Sequence, residues 1–96
     1  MITIWKYDFE TRPGKQVKLM PAGARILSVA EQWERLTLWA LVNTEVAHVE
    51  RVFEIIGTGG VLVDVPSEGY VGTVLIGPYV WHLFELLSEI SIRVGS

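Results

Sequence analysis

The chain has 96 residues, a formal net charge of −3 and no cysteine. This length supports a single domain over residues 1–96, and the lack of cysteine excludes disulfides, thiolate metal sites and cysteine nucleophiles. A chain with this net negative charge is not expected to have the basic face that binding of polymeric nucleic acid requires. Half of the residues are hydrophobic, more than so short a chain buries when it folds. We therefore expect apolar surface patches and a homo-oligomer.

The first ten residues, MITIWKYDFE, carry charged side chains and no long apolar stretch, unlike a secretory signal. No apolar run in the sequence approaches the roughly 20 residues that a membrane-spanning helix needs. These two patterns predict a cytoplasmic protein that does not bind a membrane.

The N-terminal part predicts two short strands and two turns. Residues 2–9, ITIWKYDF, alternate, with Ile2, Ile4 and Lys6 on one side and the aromatic side chains on the other. Alternation that is rich in β-branched and aromatic residues is typical of a strand. Segments TRPGKQ and PAGAR, each with Pro and Gly, predict turns on either side of a short strand, QVKLM.

Residues 28–42, SVAEQWERLTLWALV, are compatible with two structures. Ser28 followed three residues later by Glu31 matches a capping box at the start of an amphipathic helix. The alternative is two strands, RILSVA and RLTLWALV, since the second segment alternates at period two. We favour strands, because a helix over this segment would be apolar on nearly all sides, which is unusual in a small domain.

The rest of the chain continues in short apolar segments: HVERVFEII, GVLVDV, YVGTVLI and YVWHLFELL. The last two are separated by Gly77-Pro78, a spacing typical of a hairpin. Residues 88–96 fit an edge strand or a loose tail. Seven to eight short antiparallel strands with turns at regular intervals predict an all-β fold, a small β-sandwich or barrel.

The ordered segments KYDF, PAGARILSV, LTLWALV, FEIIGTGG, GYVGTV and VWHLFEL resemble a family of small phage and prophage proteins that is classed as a domain of unknown function. The resemblance extends from about Ile4 to Leu86, and the C-terminal LSEISIRVGS departs from it. It implies a phage-type accessory protein with an all-β fold, located in the host-cell cytoplasm. It carries over no catalytic residues.

Small phage proteins of this size often block host defence, which is an argument from association. We therefore expect a non-enzymatic binding protein that antagonises host defence, either by sequestering a small nucleotide signal or by masking a defence protein. A structural or assembly component of a phage particle is the alternative.

The glycine cluster Gly57–Gly60 lies between two apolar segments. A phosphate loop of the nucleotide-hydrolase kind needs a lysine followed by Ser or Thr after its glycines, whereas Val61 follows here. The dinucleotide fingerprint also fails, because Leu62 stands where the third glycine is required. We interpret the cluster as a turn in which glycine supplies a positive φ. A nest of backbone N–H groups for an anion is the alternative.

Candidate catalytic and metal-binding groups are few and scattered. His82 lies in an apolar alternating segment and is expected to be a hydrogen-bonded core residue, while His48 is 34 positions away, which is no metal-ligand spacing. We expect no metal and no cofactor. A hydrolase of small nucleotides, our third hypothesis, requires two acid–base candidates to converge in one cleft. These candidates are Glu54, Asp64, His82 and Glu85.

Tryptophan and arginine side chains complete the predicted ligand site. Trp39 and Trp81 alternate away from the expected core positions of their strands, which for the second strand are Val80 and His82. Exposed tryptophans concentrate at interfaces and ligand platforms, although a sandwich can also bury them. An aromatic ring near arginines suits a nucleotide held across a subunit boundary. The predicted ligand-binding residues are Arg25, Trp39, Arg51, Gly57, Thr58, Gly59, Gly60 and Trp81.

Overall fold

The computed structural model describes residues 1–61 and 69–86, and in this part the chain forms seven antiparallel strands in two sheets. The strands are β1 (Ile2–Phe9), β2 (Gly14–Pro21), β3 (Arg25–Gln32), β4 (Arg35–Asn43), β5 (His48–Gly57), β6 (Tyr70–Ile76) and β7 (Tyr79–Glu85). Sheet A has the order β1-β4-β3, and sheet B has the order β2-β5-β7-β6. The predicted all-β fold is confirmed. The expected strand GVLVDV lies mostly, and segment 88–96 entirely, outside the described residues.

Residues 28–42 form most of β3 and β4, which confirms the prediction of strands over the helical alternative. The two strands are joined by a turn in which Trp33 and Glu34 have φ angles of 55° and 62°. Positive φ at both central positions is the feature of a type I′ hairpin turn. The carboxylate of Glu31, the residue that suggested a capping box, accepts a hydrogen bond of 2.8 Å from the backbone N–H of Glu34. It therefore stabilises the turn instead of a helix.

The two sheets pack face to face and enclose the hydrophobic core between them, as in a β-sandwich. Phe9 of β1 and Phe53 of β5 meet edge to face across the two sheets, with ring centroids 5.2 Å apart. The predicted alternation of β1 is confirmed, because its aromatic side faces inward while Ile2 and Ile4 are exposed. The largest buried apolar side chains come from both sheets: Phe9, Met20, Leu36, Leu38, Phe53, Ile55 and Leu83.

The orientation of β7 is opposite to the one that the sequence predicts. Trp81 and Glu85 face the core, whereas Val80 and His82 lie on the outer face of sheet B. The prediction placed His82 inward because its neighbours at period two in this segment, Val80, Phe84 and Leu86, are apolar. Glu85 is nevertheless buried, since Arg51 neutralises its charge. The interpretation of His82 as a core residue and of Trp81 as outward-facing is therefore wrong.

The hydroxyl of Tyr7 is a buried polar group between the sheets with no hydrogen-bond partner among the described residues. Burial raises the pKa of this phenol, and the positive charge of Arg51 offsets only part of that rise. Folding therefore favours the protonated phenol. Its contribution to stability is complete below the unfolded pKa of about 10 and is lost as the pH rises through the higher folded value.

The variant Tyr7→Phe is expected to raise the free energy of unfolding by about 1 kcal/mol at neutral pH, because it removes a buried hydroxyl that makes no hydrogen bond. The gain over wild type should grow between about pH 7 and about pH 11, since only wild type loses stability through this phenol. Urea unfolding of both proteins at the two pH values measures the difference. A variant less stable than wild type at neutral pH would mean that the hydroxyl is satisfied.

Candidate functional site

A shallow cleft of about 240 Å³ lies at the end of sheet B, where β5 ends and the hairpin between β6 and β7 turns. It is lined by Gly57, Thr58, Pro78, Tyr79, Val80 and Trp81. Three of these residues, Gly57, Thr58 and Trp81, belong to the ligand site predicted from the sequence. Its volume lies below the roughly 300–1,000 Å³ of ordinary ligand pockets. The cleft therefore suits a single ring or a small part of a larger ligand.

The glycine cluster forms the turn on one side of the cleft, as the sequence predicts. The N–H of Gly60 donates to the carbonyl of Gly57 at 2.9 Å, and Gly59 has a φ of 89°, a conformation that L side chains rarely adopt. The N–H of Thr58 donates to the carbonyl of Val80 at 3.3 Å. Two of the N–H groups that an anion nest would use are therefore already bonded to backbone oxygens.

The opposite side of the cleft is aromatic. The Trp81 ring lies against the backbone of Gly57, where an added Cβ would be 3.6 Å from Cζ3 of the indole. Trp81 packs on the core, and its Nε1 is buried with no hydrogen-bond partner among the described residues. Tyr79 is tilted against Trp81, with 6.0 Å between ring centroids, and is exposed. Tyr79 thus offers a free aromatic face, while Trp81 forms the floor.

A chain of side-chain hydrogen bonds extends from the cleft across the outer face of sheet B. Thr58 Oγ1 lies 2.8 Å from His82 Nε2, and His82 Nδ1 lies 2.9 Å from Thr73 Oγ1. Thr73 Oγ1 is in turn 2.5 Å from the hydroxyl of Tyr70. Because both ring nitrogens of His82 are bonded, the imidazole is fixed in orientation and in turn orients the Thr58 hydroxyl.

Arg51 is not free to hold a ligand in this structure. Its Nε and Nη2 donate to the two carboxylate oxygens of Glu85 at 2.6 and 2.8 Å, and its Nη1 donates to the carbonyl of Ala24 at 2.5 Å. The two charged side chains are only 15% and 7% exposed. The hydrogen bonds with Glu85 raise the pKa of Arg51. Arg51 is also far from the cleft, because Gly57 at the cleft is six residues further along β5, a distance of about 20 Å.

Arg25 and Trp39 lie together, but on the outer face of sheet A rather than at the cleft. Arg25 pairs with Leu41 and Ser28 pairs with Trp39, so the arginine and the indole are diagonal neighbours on adjacent strands. Trp39 is half-buried there, as the sequence predicts for a side chain that alternates away from the core. The eight predicted ligand residues thus divide within one chain into the cleft group, the Arg25–Trp39 pair and the separately paired Arg51.

The sequence prediction missed Pro78, Tyr79, Thr73 and Tyr70. The available signal was the hairpin centred on Gly77-Pro78, whose antiparallel register places Thr73 opposite His82 and brings Tyr79 beside the turn. The turn itself follows from Gly77, which has a φ of 57°.

The residues proposed for a hydrolase divide between two faces of sheet B. Glu85 faces the core, whereas Glu54 and His82 lie on the outer face, and Asp64 lies outside the described residues. No group of three or more His, Asp and Glu side chains with a metal-binding arrangement occurs in residues 1–61 and 69–86. Within the same ranges, no helix has the length and apolar character needed to cross a membrane.

No curated protein and no solved structure matches the chain. A family model described as a domain of unknown function, DUF7352, matches residues 1–92, which is nearly the whole chain and includes every residue of the cleft and of the hydrogen-bond chain. This match agrees with the coarser part of the sequence resemblance, namely a family without an assigned function. The chain belongs to the DUF7352 family.

Proposed function

We propose that the protein acts by binding and not by catalysis, and that it holds the planar ring of a small ligand in the cleft at the end of sheet B. The observation that carries this proposal is the arrangement of an exposed Tyr79 ring, a Trp81 floor and Thr58 around one cleft. Aromatic side chains stack on the faces of nucleobases of any sequence. A hydroxyl at the rim provides one directional hydrogen bond.

A nucleotide is the ligand that we propose, and the phage resemblance adds the biological setting: a phage-type accessory protein that antagonises host defence by sequestering a nucleotide signal. Within one chain the cleft offers a place for the base alone, because Arg51 is paired with Glu85 and Arg25 lies on sheet A. Contact of the phosphate with an arginine would require a second copy. Binding to one chain should therefore depend on the base more than on the phosphate.

The test is calorimetric titration with the nucleosides adenosine, guanosine, cytidine and uridine and with their monophosphates. We expect at least one base to bind with similar Kd in both forms. Tyr79→Ala should weaken this binding by at least about fivefold, because stacking contributes about 1–3 kcal/mol per base. Thr58→Val should weaken it by about two- to tenfold through loss of one hydrogen bond at nearly constant shape.

Trp33→Ala is the matched control, because Trp33 is an exposed aromatic residue (82%) in the β3–β4 turn, away from the cleft lining. Its Kd values should equal those of wild type. Two results would contradict the proposal: no binding of any of the eight compounds, or equal binding by wild type and Tyr79→Ala.

An assembly component of a phage particle is the second candidate function, and one observation favours it. Large apolar side chains are exposed on the outer faces of both sheets, among them Ile4 (55%) and Leu19 (59%). Apolar faces of this kind are typical of protein–protein contacts. The same exposed apolar faces also suit contact with a defence protein, so masking of such a protein is the alternative to nucleotide sequestration. Purification with virions would favour the assembly role.

A further inference from the structure

The outer face of sheet A combines apolar side chains with the cations Lys6 and Arg25. It is defined here as face A, formed by Ile2, Ile4, Lys6, Arg25, Trp39 and Leu41. The Lys6 ammonium donates to Gln32 Oε1 at 2.9 Å, and Asp8, two residues further along β1, is an acid on the same side. Trp39 lies at its centre, with Lys6 directly opposite on β1 and Arg25 diagonal to it on β3. Arg25 has no hydrogen-bond or ion-pair partner among the residues that the structure describes.

The outer face of sheet B combines apolar side chains with negative charge over its β2–β5 half. It is defined here as face B, formed by Val17, Leu19, Glu50, Val52 and Glu54. Val52 lies between the two acids on β5, and Val17 is directly opposite it on β2. Lys15 pairs with Glu54 at the border of this face, so that Glu50 is the acid with no basic residue opposite it.

The edges of the sheets are poorly suited to adding another strand. The ammonium group of Lys18 donates to the backbone carbonyl of Asp8 at 2.5 Å, which occupies a backbone group of edge strand β1. Edge strands β3 and β6 both contain bulges, and β2 ends at Pro21. Lysine, bulges and proline are the devices that keep edge strands from pairing. Association of this chain should therefore use the faces.

We infer that face A of one copy docks on face B of a second copy. Trp39 packs on Val52, and the charges on either side of these two residues are complementary. Lys6 and Arg25 are two strand spacings apart and offset by two residues along β4, a separation of about 12 Å, and Glu50 and Glu54 are four residues or about 13 Å apart. One cation of face A can thus meet Glu50, which has no basic residue opposite it, while the other lies near Glu54, which Lys15 already faces. Docking face A on another face A would place cations against cations, which disfavours that arrangement.

This contact is heterologous, because two different surfaces meet. Face A and face B lie on opposite sides of the sandwich, so in a docked pair one copy still presents a free face B and the other a free face A. Heterologous contacts that do not close into a ring propagate as an open assembly. The protein should therefore associate into an open series of copies that lengthens with concentration, without stopping at a dimer.

Sedimentation velocity of the full chain over a wide concentration range tests this inference. The weight-average mass of wild type should rise without a plateau at low salt and fall at high salt, which screens the ion pairs. Arg25→Glu reverses a charge on face A, and Glu50→Lys reverses one on face B. Each variant alone should remain monomeric. An equimolar mixture should form mixed dimers, because the unaltered face B of the first variant meets the unaltered face A of the second.

Thermal unfolding of the two variants should match wild type, since both positions are exposed, and this separates loss of contact from loss of fold. Four results would overturn the inference: a wild type that is monomeric at every concentration, a wild type that stops at a dimer, a variant that still assembles alone, or a mixture that stays monomeric. The first would mean that these faces bind a different partner.

Discussion

Glu85→Ala is expected to lower the free energy of unfolding by about 3–5 kcal/mol, because it leaves the guanidinium of Arg51 buried without a counter-charge. A small domain has a total stability of about 5–15 kcal/mol, so the variant should unfold at much lower urea concentration. The carboxylate also joins β7 to β5, and Arg51 extends this connection to the carbonyl of Ala24 just before β3. Its loss should affect both sheets.

The exposed ion pair between the N-terminal ammonium group and Glu45 is the matched control. Its shortest N–O distance is 2.6 Å, the same as in the Arg51–Glu85 pair, but its side chains are 76% and 78% exposed. Exposed pairs contribute about 0–1 kcal/mol, so Glu45→Ala should change little. The double variant Arg51→Met/Glu85→Leu should recover most of the loss, because it removes both charges together. Equal effects of Glu85→Ala and Glu45→Ala in urea unfolding would refute this account.

Gly69→Ala is expected to cost about 3 kcal/mol, at the upper end of the range for overpacked sites. Gly69 is buried next to β7, and a Cβ at this position would overlap the backbone carbonyl oxygen of Glu85. A side chain could rotate away from such an overlap, but a carbonyl within a sheet cannot move without displacing its strand. That displacement would also shift the carboxylate that pairs with Arg51.

Gly57→Ala is the control for this prediction, because the added methyl group would meet the Trp81 ring at an ordinary contact distance of 3.6 Å. Its unfolding midpoint should stay close to that of wild type, with a difference below about 1 kcal/mol. If thermal or urea unfolding finds Gly69→Ala as stable as Gly57→Ala, the close approach of the chain at Gly69 is not a constraint.

The strands could be predicted from the sequence wherever one side of a segment is clearly apolar. Segment 2–9 alternates as predicted, and the structure adds that its aromatic side is the one that faces the core. The interpretation of segment 28–42 was open because Ser28 and Glu31 form a local helix signal. The packing between the two sheets decides it, because the apolar side of β4 is buried in the core. The Glu31 carboxylate accepts a hydrogen bond from the N–H of Glu34 in the turn and does not cap a helix.

The orientation of β7 could not be predicted, because it depends on a partner far away in the chain. Glu85 is separated by 34 residues from Arg51, and nothing in the local sequence shows that a glutamate will be buried. Once this pair is known, the inward position of Trp81 and the outward position of His82 follow from the alternation of the strand.

Part of the candidate site could be predicted and part could not. The Gly57–Gly60 turn and the presence of Trp81 near a ligand position follow from residue types. Their meeting with Tyr79 and Thr73 depends on the register between β6 and β7, which pairs Thr73 with His82. The separation of Arg25, Arg51 and the cleft likewise depends on which sheet each strand joins.

We propose that this chain binds a nucleotide-sized ligand in the cleft beside Tyr79. Native mass spectrometry of the wild type, Tyr79→Ala and Trp33→Ala, each purified from a bacterial host with active defence systems, tests it most directly. We predict an added mass of nucleotide size on each subunit of wild type and Trp33→Ala, and its loss in Tyr79→Ala. Bare subunits in all three preparations, or the same added mass in all three, would contradict the claim.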